Sequence, residues 1–600
     1  MYLLLDLFRT KDQIMYLKKV KVKDYVYLKF VETVWDKQTQ KRSQKTVLNL
    51  GRLDVLIDNG LPSIVKNLAN VVNQEMAENL DIKNDNSPMM VDLQTVSEAE
   101  NCCYGHIIYR KLWNVYQFSD FFEHIKRNSK INFNLTESAY LMVINQLLRP
   151  CSKLKLHNEN QRYFGVKEVE LQHFYRTLDV LADEKQNIEN YVFAKNKNLF
   201  NQNIDIVFYD VTTFYFESQK ADDLKDFGFD KDNKINNVHV VMGLLIDRTG
   251  KPIGYELFKG NTYEGHTLLA SLEKLRKRFN INTVIIVADK GLNSKANLLE
   301  IRNAGYHYIV SGRLKSMKTK VKEQVFRLDD YHSAQKNEFS FFDCDDDKNK
   351  FLHKTLDYKN EIRYKEKTTD KYYKKVILDE QLICTYSSKR ATKDRKDRER
   401  LLEKALEIID NNEKSKLENH KGHKKYVSKK YQNNEKCDNY EIVLNQEKII
   451  ADEQYDGFYV IQSSNPNLTA TEVIENYHYL YKIEESFRIM KSTMEVRPIK
   501  HWTPKRIEGH FAMCFIAFLL ERELELRLLN NKKVKAPMQI QTAINSLEFT
   551  KLTIESNEVF IKSKNTALAS QIMNVLKIKQ PENLSTAKQA ENYVKEHLDI

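Results

Sequence analysis

Two apolar strand patterns that each reach an aspartate constrain the fold of this chain more than any other feature. Residues 204–211 (IDIVFYDV) are β-branched and aromatic and carry Asp210 near their end, and residues 283–289 (TVIIVAD) end on Asp289. A buried apolar strand is a costly place for a carboxylate unless that group lies at the strand end and binds something. Each aspartate alone is equally consistent with a strand cap or a turn, so the interpretation depends on the order of elements around them.

That order is readable between residues 204 and 311. The pattern predicts strands at 204–216, 238–247, 252–258, 283–288 and 306–311, with an Arg-Thr-Gly turn after the second strand and helices at about 266–279 and 294–304. Three antiparallel strands followed by alternating helix and strand indicate an α/β layer with a mixed sheet.

A third carboxylate lies in the stretch 476–510. Residues 476–491 predict one amphipathic helix on which Tyr477, Glu484, Arg488 and Lys491 share a stripe roughly 60° wide, beside a buried apolar stripe. Glu485 projects about 100° away from this polar stripe. A glutamate among cations is also typical of a surface ion-pair helix, and this stretch alone does not decide between the two interpretations.

Several separated motifs resemble the DDE transposases of bacterial insertion sequences. They are RPCSK (149–153), YDVTTFYFES (209–218), GNTYEGHT (260–267), ADKGL (288–292), IEESFRIMKS (483–492) and RPIKHW (497–502), in that order. The third carboxylate of this group lies in a Tyr-x2-Arg-x3-Glu-x6-Lys signature. Tyr477, Glu484 and Lys491 match the spacing, but Leu480 stands where the signature has Arg. In relatives that Arg helps to hold distorted DNA at the transposon end.

The resemblance implies a ribonuclease-H-like catalytic core and a function. We expect a transposase that cleaves the ends of its element and joins the 3′-hydroxyl ends to target DNA. Asp210, Asp289 and Glu484 would be the catalytic residues and the ligands of Mg²⁺, with Mn²⁺ able to substitute, because hard oxygen ligands suit these ions. Its partners would be the terminal inverted repeats and target DNA, bound by a homodimer. The expected DNA-binding residues are Tyr477, Arg488, Lys491, Arg497 and Arg506.

Two alternatives remain open at this point: a retired transposase that only binds DNA, and a structure-specific nuclease that does not integrate. The α/β core is expected to be interrupted by a mostly β insertion and preceded by a β-hairpin and a helical region. The predicted domains are 1–75 (hairpin region), 76–104 (linker), 105–200 (helical, DNA-binding), 201–315 (core, first part), 316–465 (inserted subdomain), 466–530 (core, second part) and 531–600 (C-terminal tail). In the helical region, Thr136 predicts a capping box, and Arg149, Lys153, Lys155 and Arg176 are candidate phosphate contacts.

Composition agrees with a polyanionic partner inside the cell. The formal charge is +12, and seven scattered cysteines without a CxxC pair indicate a reducing compartment. The longest apolar block, residues 514–520, is far too short to span a bilayer, so we expect no membrane association. The expected location is the cytoplasm, with nucleoid association when the protein is bound to DNA.

Overall fold

The computed structural model describes residues 14–23, 25–36, 41–54, 96–200, 206–228, 236–262, 267–268, 271, 285–335, 338–339, 350–364, 373–411, 422–431, 440–530, 535–554 and 557–598. Most of the helix predicted at 266–279 and of the linker predicted at 76–104 lies outside these residues. By its internal contacts the chain divides into a central unit, Glu189–Phe487, and a terminal unit made of Met1–Ile188 and Arg488–Ile600.

The strands are numbered in chain order. They are β1 (Ile14–Val22), β2 (Tyr25–Asp36), β3 (Lys41–Arg52), β4 (Val96–Cys103), β5 (Ile206–Tyr215), β6 (His239–Ile246), β7 (Pro252–Lys259), β8 (Ile285–Ala288), β9 (His307–Ser311), β10 (His332–Ser333), β11 (Phe351–Tyr364), β12 (Lys374–Ser387), β13 (Val427–Tyr431), β14 (Tyr440–Leu444), β15 (Phe458–Ser463), β16 (Glu548–Ile554), β17 (Asn557–Lys562) and β18 (Leu584–Thr586).

The helices are numbered in the same way. They are α1 (Ile107–Val115), α2 (Phe118–Arg127), α3 (Leu135–Leu148), α4 (Lys153–Asn158), α5 (Leu171–Asp183), α6 (Lys185–Phe200), α7 (Lys295–Asn303), α8 (Thr319–Phe326), α9 (Ser388–Asp410), α10 (Gln446–Glu453), α11 (Ala470–His478), α12 (Tyr481–Arg488), α13 (Pro504–Asn530), α14 (Pro537–Asn545), α15 (Ala567–Val575) and α16 (Ala587–Leu598). None of the helices described is long and apolar enough to cross a membrane.

The central unit is built on a mixed sheet whose core has the predicted order. Strands β5, β6 and β7 are antiparallel neighbours, and β8 and β9 follow on the other side of β5 as parallel strands. Every residue of β6 and β8 is buried, as expected for apolar strands covered on both faces. The ribonuclease-H-like α/β fold expected from the sequence is therefore confirmed.

The inserted strands extend this sheet. β15 pairs antiparallel with β9, and β12, β11 and β10 follow in turn, so the described residues form one nine-stranded sheet, β10-β11-β12-β15-β9-β8-β5-β6-β7. Between β12 and β15 the chain forms the long helix α9 and the hairpin β13–β14. These two elements share a small apolar core that includes Ala405, Tyr426 and Ile442. The insertion is thus continuous with the sheet of the central unit through hydrogen-bonded strands.

In the terminal unit, helices α1, α3 and α5 pack around α13. Residues 511–520 of α13 are buried at every position, which explains its apolar sequence without a membrane. The capping prediction for α3 was wrong: its N-cap is Asn134, whose side chain accepts from the Glu137 backbone at 3.0 Å. Thr136 instead donates to Glu123 at 2.9 Å.

Two sequence-based boundaries in the terminal unit need correction. The end of the predicted linker is strand β4, and the predicted C-terminal tail is folded. The reason is their pairing: β4 pairs with β16 in the four-stranded sheet β18-β17-β16-β4. Because the two strands are more than four hundred residues apart in the chain, the local sequence around either strand does not indicate that they form one sheet. The N-terminal hairpin is confirmed as β2–β3, and β1 adds a third strand to it.

Candidate active site

Asp210 and Asp289 occupy the same level of two adjacent strands at the centre of the sheet. β5 and β8 run parallel, with Val207 opposite Ile286 and Tyr209 opposite Ala288. Each aspartate is the next residue after the last of these pairs. Adjacent strands lie about 4.8 Å apart, so the register makes the two aspartates neighbours.

The two carboxylates also lie on the same face of the sheet. Val207, Tyr209 and Val211 of β5 pack in one apolar cluster with Ile286 and Ala288 of β8. Because side chains alternate along a strand, the residues between and beyond them point to the opposite face. Asp210 is partly buried there and Asp289 is exposed.

The apolar face of the sheet, opposite the two carboxylates, is closely packed around Tyr209. Its hydroxyl donates to Thr267 Oγ1 at 2.8 Å and is buried below the sheet. Gly243 lies beside it on β6, where a Cβ would lie 2.4 Å from the Tyr209 hydroxyl oxygen. A glycine is required at that position because any side chain would occupy the space of the phenol. This packing fixes the position of the residue preceding Asp210.

The segment after Asp289 is held by backbone and amide contacts. The Gly291 backbone N–H donates to Asp289 Oδ1 at 3.3 Å. Asn293 is buried, and its amide nitrogen donates to the Ser311 carbonyl at 2.6 Å and to Gln462 Oε1 at 3.3 Å. The turn that presents Asp289 is therefore anchored to β9 and β15.

The prediction of one continuous helix over residues 476–491 was wrong, because the structure has two helices there. α11 begins at a capping box formed by Thr469 and Glu472 and ends at His478. The backbone then tightens: Leu480 and Ile483 each donate to the residue three positions earlier, at 3.1 Å. α12 follows, and residues 489–493 form a π-helical segment. Each change of helical pitch rotates the later residues, so the stripe predicted from Tyr477 to Lys491 does not persist.

Glu484 and Arg488 remain together on α12. They are four residues apart and both are exposed, whereas Glu485 is partly buried. Lys482 fixes this helix near the β6–β7 turn, since its Nζ donates to the Arg248 carbonyl at 3.3 Å. Among the residues described, no three His, Cys, Asp or Glu side chains lie close enough together to hold a metal ion. Asp210, Asp289 and Glu484 are therefore not brought together as such a group.

Tyr477 anchors α11 to the strand ends beside Asp289. Its hydroxyl lies 2.5 Å from that of Tyr459, which in turn donates to Ser311 Oγ at 2.6 Å. Burial raises the pKa of Tyr477, as do the nearby Tyr459 and the charge of Asp289. Because Val310 packs into the apolar cluster, Ser311 lies on the carboxylate face, and α11 covers that same face. The hydroxyl of the predicted DNA contact Tyr477 is thus engaged internally.

A cavity of about 470 Å³ opens beside Asp289, and the sequence did not predict it. Its lining combines the ends of β8 and β9 with residues of the insertion, among them Lys290, Ser311, Arg390 and Tyr459. The Arg390 guanidinium lies over the Tyr459 ring at 4.4 Å from the centroid. Arg390 and Tyr459 of the insertion are therefore brought to the same cavity as Asp289.

An ion-pair cluster forms another part of the cavity wall. Lys315 and Lys425 donate to the two carboxylate oxygens of Asp452 at 2.8 and 2.7 Å, and Tyr426 donates at 3.1 Å. Burial acts to raise the pKa of Asp452, but the bonds from the two lysines outweigh it and hold the pKa well below its ordinary value. This cluster keeps a net positive charge, because two lysines share one carboxylate.

The remaining predicted DNA contacts belong to the terminal unit. Lys491 and Arg497 are partly buried there. Arg506 has an internal partner: its Nε lies 3.3 Å from Asp179 Oδ1, and its guanidinium lies 4.9 Å from the Tyr175 ring centroid. This contact joins α5 to α13, so Arg506 has a structural role that the sequence pattern did not indicate.

Comparison with known proteins gives two family matches. The family described as the transposase DDE domain matches residues 201–520, and the N-terminal domain of IS1634 family transposases matches residues 17–79. No curated protein matches the sequence.

Among solved structures, a piggyBac transposase synaptic complex with hairpin DNA is similar over 85% of this chain and 87% of that one, at 10% identity and a TM-score of 0.30. A Mos1 transposase paired-end complex with the left transposon end is similar over 32% of this chain and 65% of that one, at 13% identity and a TM-score of 0.14. These likenesses are too weak to carry an argument about the site.

The family match covers more than half of the chain, and it defines the class of protein: the chain belongs to the DDE-domain transposases. With its N-terminal domain of the IS1634 type, it is more particularly an insertion-sequence transposase.

Proposed function

We propose that this transposase cleaves the ends of its insertion sequence and joins the resulting 3′-hydroxyl ends to target DNA, with Asp210, Asp289 and Glu484 as its catalytic residues. The observation that carries the proposal is the register of β5 and β8, which makes the two aspartates neighbours on one face of the sheet. Asp289 directly follows the end of β8, and Asp210 lies within β5 at the level where its pairing with β8 stops.

The donor set fits Mg²⁺. Asp210 and Asp289 offer hard carboxylate oxygens side by side, with Asp289 exposed to incoming ligands. Bound ions of this type lower the pKa of an attacking water or hydroxyl and stabilise the departing oxygen of a phosphodiester. Glu484 would complete the ligand set, and the exposure of α12 leaves its carboxylate accessible. Mn²⁺ is expected to substitute, because it also accepts oxygen ligands.

Other residues of the chain would bind DNA and position the helix that carries Glu484. Arg488 shares the exposed face of α12 with Glu484, and we propose that it contacts a DNA phosphate there. Lys491 and Arg497 are proposed as further backbone contacts. Tyr477 is proposed to act through Tyr459 and Ser311 by holding α11 against the strand ends, which positions α12. A homodimer would bring two element ends together.

Cleavage of duplexes that carry the element's own end sequence tests this proposal. Asp210→Asn, Asp289→Asn and Glu484→Gln should each reduce strand cleavage by at least about a thousandfold while leaving DNA binding largely unchanged. Glu485→Gln is the matched control, since Glu485 is the next residue of α12 and is partly buried.

Normal cleavage by any of the three variants would remove that residue from the site, and equal loss in Glu484→Gln and Glu485→Gln would refute the assignment of Glu484. Cleavage without joining would favour a nuclease. Binding without any cleavage by the native chain would favour a DNA-binding protein.

A further inference from the structure

Three basic side chains are buried together in the terminal unit. Lys153 lies in the first turn of α4, His510 lies on α13, and His501 lies in the loop that precedes α13. Their exposed fractions are 3% for Lys153, 8% for His501 and 7% for His510. The two imidazole rings are 5.1 Å apart between centroids. This group is called the basic cluster below.

The basic cluster lacks an anion among the residues that the structure describes. The side-chain polar contact of Lys153 is with Met513, whose Sδ lies 3.5 Å from Nζ. The titratable groups that face Lys153 are Cys151, Cys514, Lys500 and the two histidines, and Arg506 also acts on His501. None of them is an aspartate or a glutamate. A buried cation without a counter-ion is costly, so the cluster has the composition of an anion-binding site.

The electrostatics agree with this interpretation. Burial lowers the pKa of Lys153 to about 8, and burial together with Lys153 and Arg506 lowers the pKa of His501 to about 3. Burial and the neighbouring His501 and Lys153 hold the pKa of His510 well below its ordinary range. An anion placed among the three groups would reverse these shifts, because opposite charge favours the protonated forms.

The surroundings favour phosphate as the anion. Lys500 and Trp502 flank His501 in the loop and are exposed, so the buried imidazole lies one residue from the surface on either side. Lys505, also exposed, follows in the first turn of α13. Lysine is a common phosphate ligand, and an exposed basic loop is the usual route by which a phosphate backbone approaches a protein.

We propose that Lys153, His501 and His510 form a phosphate-binding site that accepts a backbone phosphate of bound DNA or a free phosphate ion. The DNA form of the proposal rests on the proposed function, whereas the free-ion form does not. When phosphate binds, Lys153 stays protonated above pH 8, and binding at alkaline pH takes up a proton.

Binding of a short fluorescein-labelled duplex, followed by anisotropy at constant ionic strength, tests the site. Affinity of the native chain should be constant just below the Lys153 pKa of about 8 and should fall by about tenfold per pH unit above it. Lys153→Met should lose this dependence and bind more weakly below pH 8. Lys595→Met is the matched control: it lies on α16 of the same terminal unit, its side chain is 62% exposed, and it should keep the dependence.

Thermal unfolding with inorganic phosphate, against chloride of equal ionic strength, separates the two sources. If inorganic phosphate stabilises the native chain but not Lys153→Met, the site binds free phosphate. If phosphate does not stabilise the native chain but DNA binding shows the pH dependence, the site binds a backbone phosphate. An equal pH dependence in the native chain and in Lys153→Met, or none in the native chain, overturns the proposal. Repeating the binding in Asp210→Asn keeps the result independent of cleavage, so failure of the proposed function would be seen separately.

Discussion

Replacing Asp289 by Asn should stabilise the metal-free central unit and abolish its stabilisation by Mg²⁺. Asp210 and Asp289 are neighbours on one face of adjacent strands, so their carboxylates repel each other. Two charges about 5 Å apart interact by roughly 0.8 kcal/mol in water and about 3 kcal/mol at an effective dielectric constant of 20. Asp289 is exposed, which favours the lower figure, so the expected gain is about 1 kcal/mol.

Addition of Mg²⁺ should reverse the order of stability. A ligand present at ten times its dissociation constant stabilises the native state by about 1.4 kcal/mol, and Asn at either position would weaken that binding. The native chain should therefore gain stability with Mg²⁺, while Asp289→Asn gains little. Glu485→Gln should behave as the native chain does.

The assay must report on the central unit alone. The three tryptophans, Trp35, Trp113 and Trp502, all belong to the terminal unit, so their fluorescence does not follow the sheet that carries the aspartates. Hydrogen exchange measured by mass spectrometry on peptides from β5 and β8 does. Faster exchange of these peptides in metal-free Asp289→Asn than in the native chain, together with equal protection of both by Mg²⁺, would refute the reasoning.

Three further substitutions have defined outcomes. Gly509→Ala should destabilise the terminal unit by more than about 2 kcal/mol in urea unfolding followed by tryptophan fluorescence, because its Cβ would lie 1.9 Å from the Leu178 carbonyl oxygen. Tyr459→Phe should lower single-turnover cleavage more than DNA affinity, since it leaves the hydroxyl of Tyr477 without its present acceptor, at a cost of about 1–3 kcal/mol. The pKa of Asp452 is lowered in the folded state, so its ion pairs contribute stability above its ordinary pKa of 3.8. That stability is lost as the pH falls below 3.8. Asp452→Asn should remove this acid sensitivity, measured by proteolysis of residues 440–463.

The sheet of the central unit was predictable because each of its core strands and turns has a recognisable pattern in its own stretch of sequence. β5, β6 and β8 are runs of β-branched and apolar residues, and the Arg-Thr-Gly turn lies where the structure has it. Asp247 accepts there from the Thr249 and Lys251 backbone N–H groups at 2.8 and 3.0 Å, and Gly250 takes a φ of +93°. Such turns combine an Asx acceptor with a glycine in the left-handed region, and both are visible in the sequence.

The errors arose where partners are distant in sequence. β4 is a mixed polar strand, and only its pairing with β16 makes it part of a sheet. The break between α11 and α12 is equally hidden, because Tyr477, Leu480 and Ile483 fit an uninterrupted amphipathic period. The hydroxyl contact between Tyr477 and Tyr459 of β15 holds the end of α11, and no helical pattern records a bond to a strand.

The cavity beside Asp289 is lined mostly by residues that none of the sequence motifs contains. Its walls come from β8 and β9 and from the insertion, and the two parts meet only because β15 pairs with β9. The sequence predicts residues 316–465 as an inserted, mostly β subdomain, because the interval between Asp289 and Glu484 is longer than the core needs. The pairing instead makes the sheet continuous and brings Arg390 and Tyr459 to the cavity beside Asp289. Residues that no motif contains thus reach the candidate active site through strand order alone.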